Sequence, residues 1–299
     1  LNNGIQDTFR DKIFVNFNRL LLFVVLIIVL YPLVYIVSAS VSNPAAVNSG
    51  AMWLFPVDFT WEGYQRVFAD ERIWLGYRNT IFYTVVGTLI NLAVTLPAAY
   101  ALARKDFVGR GFFMAMFVFT MFFSGGLIPT YLLIKNLGMV NSPLALLLPN
   151  AAAVWNIIIC RTFFQATIPQ ELEEQAKIDG CSVTKMFFKI VLPLSMPIIA
   201  VMALFYGVGH WNSYFNALIY ISDREWFPLQ LVLRQILVLQ EVGSEMSGVV
   251  DGQAAATQAE IASIVKYAVI IVSTLPIIII YPFMQRYFVK GVMIGSLKG

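Results

Sequence analysis

Glu171, Glu173, Glu174, Lys177, Asp179, Lys185 and Lys189 stand together between Thr167 and Pro193, the longest charged interval of an otherwise strongly apolar chain. Side chains of both signs at this density suit recognition of another protein surface. They do not assemble a catalytic site. His210 is the sole histidine, Cys160 and Cys181 have no histidine near them in sequence, and neither a Ser-His-Asp arrangement nor a metal-ligand spacing can be picked out. No G-x-x-x-x-G-K-[ST] phosphate loop occurs, so the chain does not bind ATP in that fashion. The expectation is a protein that is not an enzyme, with no metal or cofactor of its own.

A second group of polar and aromatic residues, His210, Trp211, Asn212, Tyr214 and Asn216, lies in GVGHWNSYFNALIY, and Asn150, Trp155 and Asn156 precede the charged interval. Amides and flat rings suit a sugar, offering hydrogen bonds to hydroxyls and a face to a pyranose ring. The competing reading is that these groups join helices to one another or mark a membrane interface. Asn91 falls under the same alternative, and Lys266 is expected to snorkel outward.

The charged interval needs elements to present it. Thr167 is expected to cap a first helix with Pro169 in its opening turn, while Glu171, Glu173 and Glu174 put negative charge at the positive end of its dipole. That helix should end at Asp179. Gly180 can take the left-handed conformation that closes it, and Ser182 can cap a second helix running to the break at Leu192 and Pro193. Leu172, Gln175, Ala176 and Asp179 share one face, which is expected to seat in a groove on another protein.

Composition places these elements in a membrane. Apolar residues are 59% of the chain and charged residues 12%, against roughly 45 to 50% and about 25% in soluble domains. Apolar runs predict six transmembrane helices in an all-α integral membrane protein, at residues 20–39, 80–103, 111–134, 144–164, 194–220 and 262–284. Pro97, Pro129, Pro197 and Pro276 are expected to kink or end them. The first run is longer than a signal-peptide core, so it is read as an uncleaved helix despite the small residues at 38–40. Residues 40–79 form a loop, with an amphipathic stretch in which Trp61, Tyr64, Val67 and Phe68 share a face.

With the N-terminus inside, 13 of the 20 Lys and Arg residues fall on inner segments, so both termini and the loop at 167–193, between spans 4 and 5, are expected to be cytoplasmic. Both cysteines then sit toward a reducing compartment and are read as packing residues. Two parts are expected: residues 1–74, with the first span and its outer loop, and residues 75–299, with the other spans and the loop at 167–193.

EEQAKIDG, followed by Ile190, Leu192 and Pro193, resembles the EAA loop of permease subunits in binding-protein-dependent ABC importers. The usual pattern is Glu-Ala-Ala, three residues, Gly, and later Ile-x-Leu-Pro. Glu174, Ala176, Gly180, Ile190, Leu192 and Pro193 match, and Gln175 replaces the first Ala. The likeness spans roughly residues 75–299 and is nearest to the sugar-importing branch, such as the second permease of maltose transporters.

The resemblance implies a permease in the bacterial cell (inner) membrane for an oligosaccharide or related sugar, with no nucleic-acid partner. It also implies a second homologous permease, an extracytoplasmic solute-binding protein, and a cytoplasmic ATPase dimer that carries ATP and Mg. Glu173, Glu174, Gln175, Ala176, Asp179 and Gly180 would dock that ATPase. Residues 247–257 would probe the binding protein, and the tail ending in Gly295, Lys298 and Gly299 would reach the ATPase.

Two other classes stay open on the residues alone. An ion-coupled carrier is disfavoured because the expected spans hold no Asp or Glu to carry a proton or sodium. A signalling or assembly subunit would keep the charged loop without transporting anything.

Overall fold

A computed structural model describes residues 8–246 and 264–282, and every regular element among them is helical. The chain divides into two units, Leu1–Asp70 with Ile236–Thr274, and Glu71–Gln235 with Leu275–Gly299.

The first unit is built on α1 (Phe9–Ser40), which opens in a capping box: the Asp11 amide donates to the Thr8 hydroxyl and the Thr8 amide donates to the Asp11 carboxylate. None of its most apolar stretch is covered by protein, so the stretch suits a hydrocarbon surround. Its last turn is buried: Ala39 packs with Val47 and Met52, and the Ser38 hydroxyl donates to the Leu54 carbonyl at 2.6 Å. Two short helices follow, α2 (Pro44–Asn48) and α3 (Glu62–Ala69). α3 forms within the expected amphipathic stretch. Its buried residues are Gly63 and Val67, while Trp61 and Phe68 are exposed.

The second unit begins with α4 (Glu71–Ala103), followed by α5 (Arg110–Phe122), α6 (Leu127–Asn136), α7 (Leu144–Leu147), α8 (Val154–Thr167) and α9 (Gln170–Ile178). Then come α10 (Val183–Met186), a π-helical turn at Phe187–Val191, α11 (Leu192–Leu194), α12 (Met196–Trp211), α13 (Phe215–Tyr220), a 3-10 turn at Arg224–Trp226 and α14 (Leu229–Met246). The last described helix, α15, is Ile264–Pro282; its residues 264–274, like residues 236–246 of α14, belong to the first unit.

The spine of this unit is α4, which packs most extensively on α12 and next on α8. Leu96, Ala99 and Tyr100 of α4 share a buried cluster with Ile157, Cys160, Phe164, Met186 and Met202. Cys160 is therefore a core residue, and the half-buried Cys181 packs against the same cluster. Several polar groups buried along α4 find partners, as a helix in a low-dielectric surround favours, while the buried Thr84 and Thr88 hydroxyls have none among the described residues. Asn79 donates to the Glu225 and Phe227 carbonyls, Tyr83 donates to the Trp226 carbonyl, and the Thr80 hydroxyl accepts from the Leu229 amide.

Several expected boundaries are corrected. α4 starts at Glu71 rather than near 80, because Asp70 is extended and ends α3, so Glu71 to Asn79 join the long helix. The run at 144–164 is divided: α7 stops at Leu147 and α8 starts at Val154. Pro149 lies in the gap, where it withholds an N–H and restricts Leu148. α8 has 14 residues and reaches about 21 Å, short of a core of about 30 Å.

The break expected at Pro193 falls two residues later. Pro193 sits in the first turn of α11, where its missing N–H is tolerated, and the chain turns by 82° at Ser195 before α12. The π-helical turn precedes Pro193, which cannot donate to the Lys189 carbonyl four residues back. A second bend of 114° separates α5 from α6, with Gly126 at φ +83° beside it. By length and composition α1, α4 and α15 can each cross a bilayer, and the count among described residues rises to 5 if each bent pair is one span.

Candidate functional site

The charged interval folds into two capped helices, as its residue types require, but the first cap differs from expectation. Thr167 is the last residue of α8, with its hydroxyl buried, and Pro169 takes the cap position of α9 without a side-chain hydrogen bond. Glu171 and Glu173 remain in the first turn, where they complement the helix dipole. At the far end Gly180 takes φ +70°. Its amide donates to the Lys177 carbonyl at 3.0 Å, and the Cys181 amide donates to the Ala176 carbonyl at 2.8 Å, which together form a Schellman closure. Ser182 then caps α10, accepting from the Lys185 amide.

The register of α9 divides the residues expected to dock a partner. Ala176 is turned inward, 7% exposed, into the cluster that holds Tyr100, Phe164, Met186 and Phe187. Ala176 is thus a seat for α9 on its own chain and not part of an outward docking face. Glu173 also faces inward, accepting from the Tyr100 hydroxyl at 3.3 Å. Glu174, Gln175, Asp179 and Gly180 are exposed, and Ile178 is 85% exposed. The outward surface is therefore acidic and amide-bearing with one bare isoleucine.

Between α9 and the end of α4 lies a cleft of about 590 Å³, lined by Arg104, Lys105, Asp106, Arg110, Glu173 and Lys177 among others. Arg104 is 8% exposed. Its Nε and Nη2 donate to the two carboxylate oxygens of Asp106 at 2.9 and 2.6 Å, and its Nη1 donates to the Tyr100 hydroxyl at 3.1 Å. Lys177 donates to Asp106 at 2.9 Å from the other side. These hydrogen bonds, from Arg104 first and Lys177 second, hold the Asp106 carboxyl well below the usual carboxylate range. Sequence reading missed this group because Arg104 and Lys105 entered it only as positive charge at the end of a span. The signal available was an aspartate set among those cations.

The residues expected to line a path do not form one cluster. His210 Nε2 lies 2.7 Å from Asn91 Oδ1, and Asn91 Nδ2 donates to the Asn150 carbonyl at 2.6 Å. This chain joins α12 to α4 and to the segment between α7 and α8, which is the helix-joining role. Trp211 is buried against Tyr77, and Asn156 is buried in α8. Asn212 donates back to the Val208 carbonyl and closes α12. Asn212, Tyr214 and Trp155 are exposed, Asn216 is half-buried, and the Arg234 guanidinium lies 6.0 Å from the centre of the Tyr214 ring. Lys266 is exposed, as expected. Residues 247–257 and the tail with Lys298 lie outside the described residues.

Comparison with known proteins adds four findings. Residues 73–294 match the family described as "Binding-protein-dependent transport system inner membrane component". Protein LplC of Bacillus subtilis is 42% identical over 99% of this chain and 98% of its own length. The polygalacturonan/rhamnogalacturonan transport system permease protein YtcP of the same organism is 42% identical over 91% and 94%. A crystal structure of a bacterial ABC transporter involved in the import of the acidic polysaccharide alginate contains a chain that superposes with a TM-score of 0.85. That chain is 36% identical, with 94% of this chain and 98% of that one covered.

Proposed function

The chain belongs to the family of binding-protein-dependent transport system inner membrane components, and from that premise we propose that it carries half of the translocation path for an oligosaccharide bearing uronic-acid units. It is a permease subunit of an ABC importer, not an enzyme of the solute it moves. The substrate class rests on names: the relative at 42% identity is described for polygalacturonan and rhamnogalacturonan and the structural neighbour at 36% for alginate, both rich in carboxylates. Relatives described for other oligosaccharides, among them the melibiose/raffinose/stachyose permease MelC of Bacillus subtilis at 27%, stand at 26 to 28%. Arg234 beside the exposed ring of Tyr214 offers a cation and a flat face of the kind a uronide needs.

In this reading six spans cross the membrane with both termini in the cytoplasm. A second, homologous permease completes the path, a solute-binding protein delivers sugar outside, and an ATPase dimer carrying ATP and Mg docks inside. The observation that carries the docking role is α9: a capped helix seated by Ala176 on its own chain that presents Glu174, Gln175 and Ile178 outward. When ATP closes the dimer, α9 moves with it and the spans reorient between outward-open and inward-open states. Asn212, Tyr214, Asn216 and Trp155 are the path residues that stay uncommitted to helix packing. Residues 247–257 serve as the probe of the binding protein.

The test is reconstitution of this chain with its partner permease, ATPase and binding protein in proteoliposomes, offered oligogalacturonide or raffinose. ATP-dependent uptake that favours oligogalacturonide is the expected result. Faster uptake of raffinose overturns the uronide assignment, and uptake driven by an ion gradient without ATP overturns the energy source.

A further inference from the structure

Two residues one turn apart on α9, Glu173 and Lys177, face Tyr100 in the last turn of α4 and Asp106 in the turn just beyond it. They form two rungs, a carboxylate accepting from a phenol and an ammonium donating to a carboxylate. One residue organises both. The Arg104 fork grips the two oxygens of Asp106 with two of its nitrogens and the Tyr100 hydroxyl with the third, so the partners of Glu173 and Lys177 are held in one fixed relation. Tyr100 is fixed further by stacking on Phe187 with ring centres 5.3 Å apart. The backbone route from α9 to α4 is far longer: it runs through Pro169 and Ile168 to α8, then back along the chain through α7, α6 and α5.

We propose that Arg104, Asp106 and Lys177 are positioning residues that make α9 and the inner end of α4 move as one body, so that displacement of α9 is delivered to the helix on which α8 and α12 pack. The proposal rests on α9 being the element that docks the ATPase, and it adds which contacts carry the motion onward. α4 is the suitable receiver because it is the long helix bonded at its other end to the segment 225–229 through Asn79, Thr80 and Tyr83. Lys177 and Asp106 are each about half exposed, so their pair contributes little to folding and its loss should leave the protein assembled. Arg104 is nearly buried. A lysine there keeps the charge but lacks the fork needed to hold both partners.

The experiment compares wild type with Lys177→Met, Asp106→Asn, Arg104→Lys and Lys177→Arg, each purified in the complete transporter. Retention of the ATPase, ATP hydrolysed, and sugar imported per ATP are read in proteoliposomes, with oligogalacturonide as cargo or raffinose where the wild type imports it faster. Lys177→Met and Asp106→Asn are expected to keep the ATPase and its hydrolysis while import per ATP falls about fivefold or more, the lower end of a typical coupling free energy. Arg104→Lys should fall at least as far, and Lys177→Arg, which preserves the pair, should stay at the wild-type ratio.

An unchanged ratio in both Lys177→Met and Asp106→Asn overturns the proposal. So does loss of the ATPase from Lys177→Met, which would make Lys177 a docking contact instead. Failure of the docking role itself is read separately, from Glu174→Lys, since the Glu174 carboxylate accepts from Gln170 and, among the described residues, from none of Tyr100, Arg104, Asp106 and Lys177.

Discussion

Asn91 fixes the proton on His210. The Asn91 amide nitrogen donates to the Asn150 carbonyl at 2.6 Å, which leaves Oδ1 to face the imidazole at 2.7 Å. A nitrogen so close to an amide oxygen must donate, so Nε2 carries a hydrogen. The ring fills the notch left by Gly87, where an added methyl group would collide with it.

Gly87→Ala should therefore lower the thermal stability of the purified protein, since overpacking of this kind costs about 1–3 kcal/mol. Gly209, in α12, has nothing within 4 Å of an added methyl group, and Gly209→Ala should be neutral or stabilising by up to about 1 kcal/mol through helix propensity. Adding His210→Ala to Gly87→Ala should recover part of the loss. Equal melting temperatures for the two glycine variants would contradict the close approach of α4 and α12.

Path residues are tested by contrast. Among the described residues, no side-chain hydrogen bond of Asn212, Tyr214 or Asn216 reaches another helix, and the Tyr214 ring meets the Arg234 guanidinium. Their alanine variants should impair sugar uptake while assembly and basal ATPase activity persist, and Arg234→Gln should reduce oligogalacturonide uptake more than raffinose uptake. His210→Ala should instead reduce stability. Unchanged uptake kinetics across the Asn212, Tyr214 and Asn216 variants would remove them from the path.

Acid tests the Arg104, Asp106 and Lys177 linkage by its sign. A carboxylate with a depressed folded pKa contributes stability above its unfolded pKa of about 3.9 and loses it as pH falls through the folded value. Asp106 is depressed, so it stays ionised from about pH 5 to 8 and the linkage should be constant across that window. Import per ATP should then change with pH in parallel for wild type and Asp106→Asn. Profiles that diverge inside this window would show that Asp106 titrates there and contradict its hydrogen bonding.

Much of the site was legible in the sequence because its signals are local. Gly180 at positive φ, the Ser182 cap and the acidic first turn of α9 each depend on residues within one turn of themselves. The division of labour between Glu173 and Glu174 was not legible. It is set by which face of a nine-residue helix meets Tyr100, and Tyr100 lies 73 positions away. Similarly, hydropathy joined residues 144–164 into one span although Pro149 interrupts the helix, and placed Glu71 to Asn79 in a loop although Asn79 is anchored on the Glu225 and Phe227 carbonyls. Average apolarity does not register a lost N–H or a distant acceptor.

The central claim is that α9 couples an ATPase to transport, and the most direct measurement is ATPase co-purification and ATP-dependent oligosaccharide uptake for Glu174→Lys, Gly180→Val and Gly180→Asn beside wild type. Glu174 is exposed, so reversing its charge alters the docking surface rather than the fold, and a like-charge contact there costs on the order of several kcal/mol. Gly180 sits at φ +70° with open space around it, so valine suffers backbone strain alone, while asparagine tolerates the left-handed turn. The account predicts that Glu174→Lys loses the ATPase, that Gly180→Val inserts in the membrane but no longer links hydrolysis to uptake, and that Gly180→Asn works nearly as wild type does. Full ATPase retention and normal uptake in both Glu174→Lys and Gly180→Val would contradict it.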